Sequence, residues 1–123
     1  MEKLKHEIRS SFNSPDEITA TAVSHLPYLL ACLNEALRIC PAAPSNFARE
    51  VRKGGAVIAG EFIPENTIVE IQNYSMNHSS QHWQDPFTFR PERFLPKQNG
   101  EKGDTLEALQ PFSVGPRDCI GRK

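Results

Sequence analysis

The sequence has 123 residues, with 14 lysines and arginines against 15 aspartates and glutamates, so its formal net charge is -1. This length allows a single domain with a modest hydrophobic core. Because domains that bind nucleic acids or other polyanions carry an excess of positive charge, the near-neutral balance argues against such a partner.

The N-terminal residues show the spacing of an amphipathic helix. Leu4, Ile8 and Phe12 lie four residues apart, which predicts a helical stripe over residues 3–12. The first residues do not have the pattern of a signal peptide. The sequence also lacks an apolar run long enough to span a bilayer.

A second helix is predicted immediately afterwards. Ser14 is a candidate N-cap, Pro15 suits the first helical position, and Glu17 completes a capping box. This helix is predicted to end near Thr21. Capping residues serve structure, so no chemistry is assigned to them.

A longer helix is predicted next, with Ser24 as its cap and Pro27 in its first turn. Pro41 and Pro44 are predicted to end it. Its apolar stripe comprises Leu26, Leu30, Leu33 and Leu37.

Glu35 and Arg38 lie three residues apart on the side of this helix away from the leucines. A pair with that spacing is typical of a surface ion pair that stabilises the helix by roughly 0.2–0.5 kcal/mol. Spacing alone therefore assigns no chemistry to these residues.

Between Phe47 and Asn73 the pattern changes to short β-like runs separated by turn residues. The runs are residues 47–51, 56–58, 62–64 and 67–71. They predict a small antiparallel sheet. Asn66 is predicted to adopt a left-handed conformation in one of the turns.

Two features after the predicted sheet carry no predicted chemistry. His78 and His82 have the spacing of metal ligands on a helix, but no third ligand lies nearby, so a metal site is not predicted. Residues 97–104 are polar and contain glycine, which predicts a surface loop that includes Asp104.

A turn-rich segment containing one cysteine lies near the end of the sequence. Phe112, Gly115, Arg117, Cys119 and Gly121 follow the spacing Phe-x-x-Gly-x-Arg-x-Cys-x-Gly. Its glycines and prolines predict a tightly turned backbone that approaches another group closely, for which a large flat ligand is one candidate. The chain has 3 cysteines and no Cys-x-x-Cys pair, which argues against a disulfide framework or zinc site and fits a reducing compartment.

This spacing resembles the haem-ligating signature of the cytochrome P450 family of haem-thiolate monooxygenases. Residues 35–38 are similar to the Glu-x-x-Arg motif of the family, and residues 89–94 to its Pro-Glu-Arg-Phe segment. Residues 77–87 resemble the stretch before that segment, in which a Trp and a Phe, here Trp83 and Phe87, pack and an Asp-Pro pair turns the chain. The resemblance implies a C-terminal fragment, residues 1–123, of a cytochrome P450 domain.

The implied fold class is mainly α with a small antiparallel β-sheet (α+β), as the proximal haem-binding part of that fold. By resemblance, Cys119 is the axial thiolate ligand of the haem iron. A thiolate ligand favours O–O cleavage, and a helix beginning at Ile120 would stabilise it through free N–H groups and the helix dipole. The other residues implied at the cofactor are Phe112, Gly115, Arg117, Gly121 and Arg49.

These residues have different implied roles. Arg117 and Arg49 would bind the haem propionates, since a guanidinium forms charge-assisted hydrogen bonds with a carboxylate. Phe112 would shield the sulfur from water, and Gly121 would leave room for the backbone donors. Gly115 belongs to the tight turn of the loop.

The resemblance also implies residues away from the cofactor. Glu35 and Arg38 would join Arg93 in a buried carboxylate–guanidinium cluster that supports folding and haem retention, because such a cluster is costly to break at one member. Asn46 and Phe47 would lie in a loop that lines the substrate cavity.

The implied function of the longer enzyme is insertion of one atom of O₂ into a small hydrophobic organic substrate, with haem b as cofactor. Two electrons would come from a reductase and ultimately from NAD(P)H. The fragment alone is expected to be inactive; a non-catalytic remnant and a haem-thiolate binding module are the alternatives. The parent is expected at the cytosolic face of the endoplasmic reticulum membrane, through a segment outside this sequence, and its oligomeric state is open.

Overall fold

The computed structural model describes residues 1–44, 48–96 and 103–122, and within them the fold is mainly helical with small antiparallel sheets. The helices are α1 (Glu2–Ser11), α2 (Ala20–Val23), α3 (Pro27–Ile39) and α4 (Asn73–Asn77). The strands are β1 (Arg49–Glu50), β2 (Ala56–Ile58), β3 (Glu61–Ile63) and β4 (Ile68–Val69). Short 3₁₀ turns occur at Pro15–Glu17, Pro91–Phe94, Leu106–Ala108 and Ile120–Arg122. The predicted fold class is confirmed.

The predicted stripe on the first helix is confirmed. Leu4, Ile8 and Phe12 are each half-buried, while most of the other side chains of α1 are exposed. Helix α1 packs against α3. At its N-terminal end, Lys3 Nζ also donates to the carboxylate of Glu92 at 2.7 Å, which connects α1 to the Pro91–Phe94 turn.

The single helix predicted after Ser14 is wrong. Pro15–Glu17 forms a 3₁₀ turn, and the backbone then extends at Thr19, with φ -109° and ψ 160°. The hydroxyl of Thr19 accepts a hydrogen bond from the Ala22 N–H at 3.2 Å and so caps the separate helix α2. A threonine that can cap a helix favours extended backbone at its own position, which interrupts the predicted helix.

The predicted cap of α3 is also wrong. The Ser24 hydroxyl donates to the carbonyl of Thr21 instead, and Leu26, which has no side-chain acceptor, occupies the N-cap position. The carboxylate of Glu7 in α1 accepts hydrogen bonds from the N–H groups of Tyr28 and Leu29, each at 2.8 Å. A negative charge supplied by another helix therefore satisfies the N-terminus of α3.

Helix α3 buries the face opposite to most of its leucines. Ala31, Glu35 and Arg38 are buried, whereas Leu30 is 39% exposed and Leu33 is 53% exposed. The prediction from spacing alone, that Glu35 and Arg38 form a surface ion pair, is therefore wrong. The buried face packs against the Pro91–Phe94 turn and α4.

The predicted small sheet is present as two separate two-stranded ladders. Strand β1 pairs with β4, and β2 pairs with β3, both antiparallel. Asn66 has φ 63°, so its predicted left-handed conformation is confirmed. Gly55 has φ 76°, and a Cβ there would lie 2.8 Å from the carbonyl oxygen of Ile63, so this turn requires glycine.

The interior combines a few apolar side chains with charged ones. Trp83 is 1% exposed, and it lies among the fully buried Glu35 and Arg38. The other buried apolar residues include Leu26, Ala31, Val51 and Leu109. In the part of the chain that the structure describes, no helix has the length and apolar character required to cross a membrane.

The position of Glu7 predicts a measurable capping energy. Replacing Glu7 by Ala removes the acceptor of two N–H groups at the start of α3, so we expect the free energy of unfolding to fall by about 1–2 kcal/mol. Urea unfolding measures this loss. Glu2→Ala, an exposed change in the same helix, is the matched control and should alter stability by less than about 0.5 kcal/mol; equal effects of the two changes would contradict the capping role.

Candidate functional site

Arg38 lies at the centre of a buried network of charged groups. Its Nε and Nη2 atoms donate to the two carboxylate oxygens of Glu35, at 2.8 and 2.9 Å. Its Nη1 atom donates to the carbonyls of Asn77 at 2.6 Å and Pro86 at 2.7 Å, and Nη2 reaches the carbonyl of Thr88 at 3.4 Å. A guanidinium has five N–H donors. All five are therefore used, which makes a fully buried arginine tolerable.

Arg93, in the Pro91–Phe94 turn, approaches the same carboxylate from the other side. Its Nε atom donates to Glu35 Oε1 at 3.1 Å, and its Nη1 atom donates to Asp104 Oδ2 at 2.8 Å. Its remaining acceptors are the backbone carbonyls of Gln84, Asp85 and Thr88. The structure thus brings together Glu35, Arg38 and Arg93, and it adds Asp104.

Trp83 packs against both guanidinium groups. The centre of its ring system is 5.2 Å from the Arg38 Cζ atom and 5.9 Å from the Arg93 Cζ atom, within the range of cation–π attraction. The indole N–H donates to the carbonyl of Met76 at 3.2 Å. The predicted packing of Trp83 is confirmed, but the same prediction for Phe87 is wrong, because Phe87 is 73% exposed.

Asp104 corrects the prediction of a surface loop. Its side chain is only 2% exposed, and its carboxylate accepts hydrogen bonds from Gln84 N–H and from Arg93. Burial opposes ionisation, but the Gln84 hydrogen bond and the Arg93 charge outweigh it and lower the pKa of Asp104 below its usual value. Residues 97–102 of that predicted loop lie outside the described residues. The implied set has two guanidiniums and one carboxylate, and this charge imbalance is the signal that could have pointed to another acid.

The cysteine loop is turned by left-handed residues. Gly115 has φ 86° and Ser113 has φ 60°, and the N–H of Cys119 donates to the carbonyl of Phe112 at 2.7 Å. Cys119 is exposed and is not in a disulfide. A Cβ on Gly121 would lie 3.6 Å from the Cys119 sulfur, an ordinary contact distance. Gly121 therefore lies beside the thiol, but contact within this chain does not by itself require glycine there.

Where a helix was expected to begin at Ile120, the described residues form a single 3₁₀ turn, Ile120–Arg122, in which the Arg122 N–H donates to the Cys119 carbonyl at 3.2 Å. Ile120 is 96% exposed. The thiol is therefore followed at once by helical backbone on an exposed face.

An open cleft of about 800 Å³ lies between the strands and the segment that leads into the cysteine loop. Arg49 and Arg52 lie on the strand side, and Arg117 lies on the loop side. Apolar residues complete the lining, among them Ile58, Val69, Ile71, Met76, Pro111 and Val114. The cleft thus combines apolar walls with guanidinium groups.

The remaining predicted positions are placed as follows. Phe112 precedes the cleft-lining Ser113 and is 36% exposed. Asn46 and Phe47 lie outside the described residues. The His78 ring stacks on Tyr74 with 4.2 Å between centroids, and its Nδ1 lies 2.9 Å from the Tyr74 carbonyl. Among the described residues no group of three or more His, Cys, Asp or Glu is arranged to hold a metal ion.

The residues present fit a haem group by their chemistry. A haem is flat and apolar with two anionic propionates, and the cleft offers apolar walls with three arginines. Cys119 supplies a thiol of the type that ligates haem iron, two residues beyond the cleft-lining Arg117. Arg52, which also lines the cleft, was not predicted; its proximity to Arg49 in sequence is the signal that could have found it.

The saturated donors of Arg38 predict that lysine cannot replace it. Lysine retains the charge but has three donors on one nitrogen, so Arg38→Lys leaves buried carbonyls unpaired, and we expect a loss of about 3 kcal/mol or more in the free energy of unfolding. Trp83 is the only tryptophan of the sequence, so urea unfolding followed by its fluorescence reports on this cluster. Arg9→Lys, on the exposed surface of α1, should change stability by less than about 0.5 kcal/mol; a similar small effect of Arg38→Lys would contradict the predicted loss.

Comparisons with known proteins identify the family. The family model for cytochrome P450 matches residues 1–123. Cytochrome P450 monooxygenase prhB of Penicillium brasilianum is 50% identical over 121 residues, and cytochrome P450 monooxygenase tpeC of Talaromyces stipitatus is 48% identical over 120; each match covers 98% of this chain. The chain spans 24% of the length of each of these relatives. A zebrafish cytochrome P450 solved with progesterone has a TM-score of 0.80 and 28% identity, over 98% of this chain and 26% of its own. The chain therefore belongs to the cytochrome P450 family.

Proposed function

We propose that this chain forms the cysteine-ligand side of a haem-dependent monooxygenase, which inserts one atom of O₂ into a small hydrophobic organic substrate. The observation that carries the proposal is the loop of Cys119, in which the exposed thiol follows Arg117, a residue of the arginine-lined cleft. The fungal relatives are named monooxygenases. The zebrafish neighbours were solved with progesterone and abiraterone, which supports a hydrophobic substrate class.

The proposed cofactor is haem b, with electrons that a reductase delivers from NAD(P)H. When bound through a thiolate, this group supplies the activation of O₂. Cys119 would provide the thiolate. The short turn Ile120–Arg122 begins directly after this residue.

The arginines would orient the cofactor. Arg49 and Arg117 line opposite sides of the cleft, so each would pair with a propionate and limit rotation of the group in its plane. The apolar residues Ile58, Val69 and Val114 would exclude water from its faces. The Glu35–Arg38–Arg93 cluster is not part of the cleft lining. Its proposed role is to hold the cysteine-ligand side of the haem pocket in place.

We propose that the chain alone has no monooxygenase turnover. It spans about a quarter of its relatives, and several large apolar side chains are exposed, including Leu33 at 53%, Val57 at 71% and Phe62 at 64%. Exposed apolar surface of this extent is typical of an interface. The remaining three quarters of a longer enzyme would cover it and form the other wall of the haem pocket.

A haem titration of the purified chain tests the ligand. We expect weak binding or none, and any haem that binds should, after reduction under carbon monoxide, produce a Soret band red-shifted relative to histidine-ligated haem. Cys119→Ala should abolish this band, and Cys40→Ala, which removes another exposed cysteine, should leave it unchanged. The red shift reports an anionic sulfur ligand, so it should depend on Cys119, the residue proposed to provide the sulfur.

The outcomes separate the proposals. A spectrum that does not change in Cys119→Ala would overturn the assignment of the ligand. A Cys119-dependent spectrum of high affinity would favour a haem-thiolate binding module. Absence of saturable binding would support a function that exists only in a longer enzyme.

A further inference from the structure

The buried cluster requires a second negative charge. Arg38 and Arg93 each have a side-chain exposure of 0%, and so does Glu35. These three groups alone would leave one net positive charge away from water, which is strongly unfavourable. Asp104, at 2% exposure and 2.8 Å from Arg93 Nη1, makes the buried set neutral.

The two oxygens of Asp104 have different partners. Oδ2 accepts from Arg93 and lies 3.5 Å from Nη2 of Arg90, whose side chain is 36% exposed. Oδ1 accepts from the backbone N–H of Gln84. The carboxylate therefore joins the Pro91–Phe94 turn to the chain just after Trp83.

The chain that follows Asp104 leads directly to the cysteine loop. The Thr105 N–H donates to the His82 carbonyl at 2.8 Å, and Leu109 is buried. Gln110 and Pro111 then line the arginine-containing cleft, and the carbonyl of Phe112 accepts the Cys119 N–H. Asp104 is thus the charged anchor at the start of the segment that forms one wall of the cleft.

We infer that Asp104 is a positioning residue, whose carboxylate neutralises the Glu35–Arg38–Arg93 cluster and fixes the segment carrying the cysteine loop. The hydrogen bonds and the burial of the Asp104 side chain do not depend on a cofactor. This inference rests on the proposed function in one respect, because the segment that Asp104 fixes forms a wall of the proposed haem cleft.

The charged groups around Asp104 make its contribution dependent on pH. Arg93 and Arg90 face it directly, and Glu35 lies on the far side of Arg93. Although burial opposes ionisation, the Gln84 N–H and the arginines hold the pKa of Asp104 below its usual 3.8. Its stabilising contribution is therefore complete well above pH 3.8 and is lost as the pH falls through the lower pKa of the folded state.

The test compares four variants of the 123-residue chain with the wild type. Asp104→Asn removes the charge at constant size, and Asp104→Glu restores the charge on a longer side chain. Asp16→Asn is the same chemical change at an exposed position. Leu26→Ala destabilises the buried start of α3 without touching the cluster.

Two measurements distinguish positioning from general destabilisation. The first is hydrogen exchange of the Cys119 amide near neutral pH, which reports opening of its bond to Phe112. We expect exchange about tenfold faster in Asp104→Asn than in Leu26→Ala, with Asp104→Glu closer to the wild type. The second is the free energy of unfolding measured between pH 6 and pH 3. This free energy should fall by the same amount in the wild type and in Asp16→Asn, and by a smaller amount in Asp104→Asn.

Each outcome decides the inference. Equal exchange in Asp104→Asn and Leu26→Ala, or an unchanged acid dependence in Asp104→Asn, would overturn it. If Asp104→Asn does not fold, a folded Asp104→Glu with slow exchange supports the role of the charge, and a Glu variant that is equally disrupted overturns it. Neither measurement uses haem, so failure of the chain to bind haem would not affect the result.

Discussion

The structure depends on the burial of paired charges rather than on a large apolar core. A guanidinium removed from water is tolerated only when its donors are paired and its charge is balanced. Arg38 and Arg93 meet both conditions, because their N–H groups are directed at two carboxylates and a set of backbone carbonyls. Trp83, which is 1% exposed, lies within cation–π distance of both guanidinium groups.

This constraint determines how the irregular part of the chain runs. The carbonyl of Asn77 lies at the end of α4, and those of Pro86 and Thr88 belong to the irregular stretch that follows. All three accept hydrogen bonds from the guanidinium of Arg38. A buried carbonyl needs a donor. The arginines provide the donors that strands or helices provide elsewhere, so this stretch has a defined path and delivers the segment after Asp104 to the edge of the cleft.

The cleft and the cluster contain two groups of arginines with different partners. Arg38 and Arg93 are fully paired within the protein, and their charge is not available to a ligand. Arg49 and Arg117 line the cleft, and the only hydrogen bond given by Arg49 among the described residues is to the neighbouring Ala48 carbonyl. The same residue type therefore serves structure in one place and is available for an anionic ligand in the other.

Local physical chemistry made part of the fold predictable. The apolar stripe of α1, the proline-limited end of α3 and the left-handed Asn66 all follow from interactions within a few residues. The start of α3 was not predictable in this way. Ser24 was the cap that local spacing predicted, but the cap of α3 is the carboxylate of Glu7 in another helix.

The sequence by itself determined the family motifs and with them the identity of the candidate ligand, because a cysteine within fixed glycine, arginine and phenylalanine positions is a local chemical pattern. Only the tertiary structure decided that Asp104 joins the buried charges that the family motifs implied. Asp104 resembles any acid in a polar loop, and Leu33 resembles a core residue, yet the first is buried and the second is exposed. The reason is that burial of a charge depends on partners far away in sequence, and their positions are set by the packing of the whole chain.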